Sequence, residues 1–541
     1  MTAAAAYLLT VVLLGFAAAL LRLPPLVGYI AAGFLLGATD LPQLEWISTV
    51  GDLGAALLLF SIGLDLHPRS LSRRVISGTA AITMVALTAL NALVIGLLVI
   101  VVGVSVGHTD GWGAALVLGF ALASSSTIVI MKILEERDDG SAHYGRIAVG
   151  TSILQDTVSI VLLIFISGRA PSPWALTLVL LWPAKHLAGW VLTRISHREM
   201  YTLFGITVAL LPGYELFEIV GLPGTLGSLV VGALLAQHTS ALDLAESFRP
   251  VQELFLVAFF VSVGASGLPG TGALVMGLAL LALVPLRSAI YTAVLWTMRL
   301  RHRSSVLTGL AVGSYSELAL VVAGVGVSQG ILGSEWLQAL SIGVAGSFVL
   351  VSVVNQRAGR LVQAISHALP DHRADALHPA EAPVDLSGVE VVVFGMGRVG
   401  RSTYRRLVSR IPRRDENAPS PVLGVDSDAD KVERLAAMGI NIIEGDATDT
   451  DFWLRLGAGE ARTAVLAMAE PGANLKVLDW IERHNFAGEV VAVARFDDEA
   501  IEMHQRGVDT IINVYQGVGA ALADAVTIPP GPVSAGLGER P

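Results

Sequence analysis

Up to about residue 365 the chain is a succession of long apolar runs separated by short polar breaks; beyond about 370 the apolar runs shrink to a few residues between charged stretches. A helix needs roughly 20 mostly apolar residues to cross about 30 Å of hydrocarbon. Splitting the first part at Pro, Gly and charge clusters predicts about thirteen transmembrane helices. The windows are 4–22, 26–40, 47–65, 75–103, 113–134, 145–168, 174–193, 201–220, 222–238, 252–267, 270–298, 305–329 and 338–360. The second, ninth and tenth are short enough to tilt or dip. The pattern predicts a polytopic α-helical membrane protein over 1–363, a linker over 364–387, an α/β Rossmann-like domain over 388–528 and a disordered tail over 529–541.

Charge supports this reading. With the N-terminus outside, Arg22, Arg69, Arg73, Arg74, Lys132, Arg137, Arg146, Arg194, Arg198, Arg249, Arg299, Arg301 and Arg303 all fall in connections on one side. The alternate connections hold a single basic residue, Arg169. The positive-inside rule then predicts a multi-pass protein of the inner (plasma) membrane with its C-terminal domain in the cytoplasm. Ala3–Leu21 has no basic residue before it and Arg22 after it, the reverse of a signal peptide, and reads as a retained span. The net charge of −10 comes with no basic face for nucleic acid, and the lack of cysteine excludes disulfides and thiol chemistry.

Ionisable residues inside spans are costly and usually functional. Asp156, preceded by Gln155, stands at the midpoint of the 145–168 window, and Glu317 at the centre of the 305–329 window. Arg287 is a turn past the centre of the 270–298 window. The run Ser124, Ser125, Ser126 and Thr127 falls in the middle of the fifth window, where it weakens the helix and can expose carbonyls to an ion. Glu317 occupies a similar weak spot beside Gly313 and Ser314. Two interrupted spans in two halves of a chain, with a carboxylate beside them, fit the broken-helix, inverted-repeat design of secondary transporters. A buried Glu317–Arg287 ion pair that merely holds the bundle is the alternative for those two residues.

In order along the chain, VGYIAAGFLLGA from Val27, LLFSIGLDLHPRSL from Leu58, ASSSTIVI from Ala123, SILQDTVSI from Ser152, FFVSVGAS from Phe259 and SELALVV from Ser316 resemble signatures of the Kef-type monovalent cation:proton antiporters. The resemblance implies a homodimer with a dimerising scaffold and a mobile core, in which Asp156 of the Gln155–Asp156 pair takes up proton or cation alternately. It equates Arg287 with a family lysine or arginine and Glu317 with a family acid. Since arginine stays charged and Gln155 cannot ionise, Asp156 is the expected sole carrier, as the ligand of a monovalent K+ or Na+, and exchange is expected to be electroneutral. The bilayer, a second copy and an ancillary regulatory subunit are the expected partners. The loop QHTSALDLAESFRPVQELF, with His238, Asp243 and Glu246, matches the glutathione-gated members only loosely.

In the C-terminal part, strand-like Val389–Phe394 runs into Gly395-Met396-Gly397-Arg398-Val399-Gly400, a GxGxxG motif opening a helical stretch. The glycines let a phosphate approach the helix N-terminus. The next strand ends at Asp426, suited to a ribose hydroxyl, somewhat farther on than the usual ~20 residues, and the insert IPRRDENAPS accounts for the excess. Asp446, with Glu444 and Gly445, falls in a loop near the same crevice. This part resembles the TrkA-N or potassium-conductance-regulator domain, which implies NAD(H) or an adenine nucleotide (AMP or ATP) as regulatory ligand. No acid/base constellation points to an enzyme. A nucleotide-gated channel is the main competing class, and it lacks a TVGYG-like filter here; a membrane-anchored oxidoreductase would turn over its dinucleotide.

Overall fold

The computed structural model describes residues 2–525 apart from 22, 40–43, 65–72, 102–111, 138, 140–141, 167–171, 196, 223, 237, 239, 266–268, 329, 331, 367, 371, 412–419, 449, 457–460, 469–471, 484–485 and 487. The expected tail over 529–541 and most of the IPRRDENAPS insert lie outside the described residues. The chain divides into two compact units, one of residues 1–140 and 144–376, the other of 377–541 with 141–143.

The described elements of the first unit are all helical. Its elements are α1 (Thr2–Leu20), α2 (Pro25–Gly37), α3 (Glu45–Leu64), α4 (Arg74–Val101), α5 (Trp112–Ala121), α6 (Thr127–Arg137) and α7 (His143–Ile166). A 3₁₀ turn over Pro173–Leu180 leads into α8 (Leu181–Leu192). Next come α9 (Arg198–Val208), a π-helical stretch Ala209–Glu215 around Pro212, and α10 (Leu216–Ile219); the proline removes an i→i−4 bond and the ladder widens around it. Then follow α11 (Gly224–Leu235), α12 (Ala241–Gly264), α13 (Thr271–Thr297), α14 (His302–Ala311), α15 (Leu318–Ser328), α16 (Glu335–Asn355) and α17 (Ala358–Ile365).

Every window read from the sequence holds helix. Among the described residues, seven helices are long and apolar enough to cross a bilayer by themselves, including α1, α4, α12, α13 and α16. The fifth and twelfth windows each hold two half-helices, α5/α6 and α14/α15, separated at the Ser-rich stretch and at Val312–Glu317. The unit turns apolar side chains outward: Leu8, Leu13, Phe16 and Leu20 on α1, and Trp174, Leu176, Trp182 and Trp190 around α8, are more than half exposed. The polar side chains of Thr83, Asn91, Gln155, Asp156, Arg287 and Glu317 are buried instead. That inversion suits a lipid solvent, in which burying polar groups against each other is the favourable choice.

The chain leaving α17 is fastened back onto α13. Trp296 Nε1 donates to the Pro370 carbonyl at 3.0 Å, and His372 stacks on the Trp296 ring at a centroid distance of 4.7 Å, its Nε2 2.8 Å from the Trp296 carbonyl.

The second unit is a six-stranded, all-parallel sheet in the order β3-β2-β1-β4-β5-β6. The strands are β1 (Val391–Phe394), β2 (Val422–Asp426), β3 (Ile442–Glu444), β4 (Thr463–Leu466), β5 (Glu489–Ala494) and β6 (Thr510–Asn513). The helices are α18 (Arg398–Arg410), α19 (Ala429–Ala437), α20 (Thr450–Arg455), α21 (Ala473–Arg483), α22 (Asp497–Gln505) and α23 (Val514–Ala525). This is the doubly wound arrangement whose ligand crevice opens where the strand order reverses, beside β1. Part of the stretch read as linker belongs to this core. Val384 and Leu386 are buried in it, and Val384 N donates to the Arg455 carbonyl at 2.9 Å.

Candidate functional site

The two helix breaks cross each other. The Ser316 amide donates to the Ser124 carbonyl at 3.1 Å, joining the α5/α6 break to the α14/α15 break through their backbones. Asp156 of α7 is 1% exposed and meets one hydroxyl from each break: Thr127 Oγ1 donates to Oδ2 at 3.3 Å and Ser316 Oγ to Oδ1 at 3.1 Å. Thr127 also contacts Ser152 Oγ at 3.0 Å. Both hydroxyls belong to the N-terminal ends of half-helices, where the unpaired N–H groups and the dipole favour negative charge.

Arg287, 1% exposed, closes the other end of the first break. Its Nη1 donates to the Leu122 carbonyl at 2.6 Å, and its Nη2 to the carbonyls of Ala123 at 2.8 Å and Ser124 at 2.6 Å and to Ser125 Oγ at 3.0 Å. These are the carbonyls that α5 leaves without intrahelical partners, and a fixed cation there satisfies both their hydrogen bonding and the helix dipole. The Arg287–Glu317 ion pair raised by the sequence is therefore not formed: the guanidinium is committed to the break. Carbonyls expected to face an ion are handed to Arg287 instead. The second break is closed by neutral groups, Ser125 Oγ donating to the Val312 carbonyl at 2.8 Å and Asn355 Nδ2 to the Leu310 carbonyl at 2.9 Å. Glu317 is 2% exposed, and among the described residues its Oε2 has no hydrogen-bond partner.

Of the eight predicted transport residues, Thr127, Asp156 and Glu317 converge on one buried polar point. Ser126 Oγ accepts from the Val129 amide at 3.3 Å and caps α6. Ser124, Ser125 and Arg287 hold the breaks. Gln155 donates through Nε2 to Tyr291 hydroxyl at 2.6 Å and Thr83 Oγ1 at 2.9 Å. The sequence reading does not single out Tyr291, Thr83 or Ser316. Tyr291 has the clearest signal of the three, lying one turn past Arg287 on the same face of α13.

In the soluble unit the glycine motif forms the β1–α18 turn. Gly395 has φ of 87°, a conformation that disfavours any side chain, and Gly397 precedes the helix. A Cβ on Gly397 would meet nothing within 4 Å, so there is open space over the helix N-terminus, which fits a phosphate group. Arg398 and Val399 are exposed while Gly400 is buried against the turn. The Asp426 carboxylate sits at the end of β2 as expected, but it already accepts from the Met396 amide at 2.8 Å and from Lys431 Nζ at 2.9 and 3.0 Å. Asp446 closes a local turn, accepting from Thr448 N at 2.8 Å and Oγ1 at 2.6 Å.

Residues 6–356 match the family of transmembrane sodium/hydrogen exchangers, and residues 391–514 match the TrkA-N domain. The chain is 28% identical over 517 residues to the glutathione-regulated potassium-efflux system protein KefC of Enterobacter sp. (strain 638), covering 91% of this chain and 79% of the relative. It is 27% identical over 516 residues to the protein of the same description from Escherichia coli O17:K52:H18, covering 90% and 78%. Among solved structures, the sodium proton antiporter MjNhaP1 of Methanocaldococcus jannaschii aligns with 67% of this chain and 97% of its own, at 15% identity and a TM-score of 0.48. The chain belongs to the transmembrane sodium/hydrogen exchanger family, and with its C-terminal TrkA-N domain it is a Kef-type membrane antiporter.

Proposed function

We propose that residues 1–363 exchange a monovalent cation, K+ in the first instance, for a proton, with Asp156 as the carrier. One observation carries this reading: Asp156 is buried, its two partners are neutral hydroxyls, and among the described residues no basic side chain pairs with it. A carboxylate taken out of water without a fixed counter-charge is neutralised by a mobile one. A proton and a dehydrated cation can each do this, and not both at once. One acid alternating between them makes exchange one for one and electroneutral. The orphaned Glu317 oxygen and the hydroxyls of Thr127 and Ser316 supply oxygen ligands of the kind that suit an alkali cation. The choice of K+ over Na+ draws on the relatives, which are described as potassium-efflux proteins.

The reading extends to the rest of the chain. The N-terminus faces outward, the two interrupted halves form inverted repeats, two copies assemble as a dimer with an ancillary regulatory subunit, and the protein carries no enzymatic activity. Residues 388–528 bind NAD(H), AMP or ATP at Gly395, Gly397, Arg398, Val399 and Gly400, with Asp426 and Asp446 at the crevice, and set the rate of exchange. Proton movement followed in proteoliposomes with K+, Na+, Rb+ and Li+, with and without NADH, AMP and ATP, tests cation, coupling and ligand together. Full exchange by Asp156→Asn would remove the carrier, and a rate at equilibrium that follows an imposed membrane potential would remove electroneutrality.

A further inference from the structure

Where the chain leaves the membrane unit, four helices enclose an apolar groove that takes no part in the crossing at Asp156. It has a volume of about 350 Å³ and is partly open to the outside of the bundle. Its floor is α13, where Pro285, Ala289 and Ala293 are exposed, and its walls come from α14, α16 and α17. Leu361, Ile365 and Leu369, spaced by four, line it with one face of α17 and the turn that follows. Leu369 is followed by Pro370, whose carbonyl accepts the Trp296 indole proton, so the fastening of the chain holds this wall in place.

The lining does not call for water. Its polar side chains are Ser288 and Thr292; Thr292 Oγ1 gives its proton to the Ser288 carbonyl at 2.9 Å, and Ser288 Oγ lies against Gly313 of the second break. An apolar cavity of this kind stays dry and takes apolar ligands. Lipid is the solvent outside it: Leu286 of α13 and Val353 of α16, each next to a lining residue, are exposed. Charge marks one end. Arg299 and Arg301 follow α13, Arg303 falls in the first turn of α14, and Arg357 and Arg360 stand where α16 passes into α17, with no carboxylate in 298–303 or 356–370. Arg299, Arg357 and Arg360 are exposed, and Arg357 falls four residues before Leu361, in line with the apolar stripe. From this end the chain runs on to the cytoplasmic TrkA-N domain, and the cytoplasmic leaflet is the one with an anionic surface.

We propose that this groove is a lipid-binding site, which takes an acyl chain of an anionic phospholipid from the cytoplasmic leaflet and meets its phosphate with Arg357 and Arg360. Each half of that ligand has its counterpart: a dry apolar groove for the chain, and a basic end without competing carboxylates for the headgroup. A zwitterionic lipid fits the groove equally well and gains less at the basic end. Once seated, the acyl chain fills the space between α13 and α17 and steadies the last helix before the connecting segment. The site needs only the membrane setting of this unit, so it and the exchange reading stand or fall separately.

The test uses the full-length protein, purified in detergent and stripped of its own lipid. Thermal unfolding is followed as phosphatidylglycerol, phosphatidylethanolamine or glycerol 3-phosphate is added, and native mass spectrometry counts the lipids each chain retains. Phosphatidylglycerol is expected to stabilise the protein at lower concentration than phosphatidylethanolamine, and glycerol 3-phosphate to have no effect. Arg357→Gln and Arg360→Gln each weaken the apparent affinity for phosphatidylglycerol by about fivefold, the scale of one basic residue at an anionic surface. Shortening the acyl chains weakens it by about fourfold for each methylene withdrawn from the groove. Ala289→Leu fills the groove, and the chain then retains one lipid fewer. Equal response to the two phospholipids, stabilisation by glycerol 3-phosphate alone, or a lipid count and affinity untouched by both Ala289→Leu and the arginine substitutions overturns the proposal. Stabilisation that follows protein concentration instead of lipid gives the groove to a second copy and overturns it as well. If Ala289→Leu does not fold, the chain-length series on the unsubstituted protein together with the two arginine variants decides the matter.

Discussion

The two helix breaks are built alike and secured differently. At the first, a permanent cation, Arg287, takes three backbone carbonyls in a row; at the second, two neutral side chains, Ser125 and Asn355, take one each. Each then offers one hydroxyl to Asp156, Thr127 from the first and Ser316 from the second. The second also brings Glu317, whose Oε2 is left unpaired among the described residues. The contrast separates two tasks that share one crossing point. We expect the first break, tied by charge, to be the fixed wall and the second, which carries the unsatisfied oxygen, to be the side that responds to what binds.

That comparison can be broken in a definite order. The largest effect is expected from Arg287→Leu, which strands the Leu122 and Ala123 carbonyls and the helix dipole. At about 1–3 kcal/mol per unsatisfied group it costs the folded protein several kcal/mol, read as a loss of monodisperse protein and a large drop in unfolding temperature. Asp156→Asn comes next: exchange falls at least about 100-fold, the scale of removing an essential charge-bearing group, while the unfolding temperature holds or rises because a buried charge is gone. Glu317→Gln leaves stability within about 1 kcal/mol and shifts the KM for the cation, since it replaces one oxygen without touching the fold's ties. The smallest effect on exchange is expected from Ser125→Ala, which costs about 1–2 kcal/mol of stability and loosens the second break with Arg287 still in place. Should Glu317→Gln unfold the protein and Arg287→Leu leave it stable, the assignment of fixed and responsive sides is reversed.

Much of this arrangement is legible in the order of residues alone. Asp156 and Glu317 stand out because a carboxylate at the middle of an apolar run is costly in lipid, and the serine run announces its break by depriving a helix of propensity. The glycine motif and the parallel strands around it follow from spacing. What stays hidden is partnership. Gln155 meets Thr83 across 72 residues of sequence and Tyr291 across 136, and a threonine or tyrosine in a helix of mixed small residues carries no mark of a distant contact. Arg287 is conspicuous but invites the wrong partner, because charge pairing suggests a carboxylate whereas broken helix ends supply carbonyls. Val384 and Leu386 read as linker, since two buried residues among Pro, Asp and Ser show no period; only their packing under the sheet reveals them.

The fastening at Trp296 puts two ties on one helix. The segment that connects the two units is anchored by Pro370 and His372 to the end of the helix that also carries Arg287 and Tyr291. Trp296 and Arg287 lie nine residues apart on one helix, about 14 Å at 1.5 Å per residue, so the tie on the chain after α17 and the grip on the first break share one short length of α13.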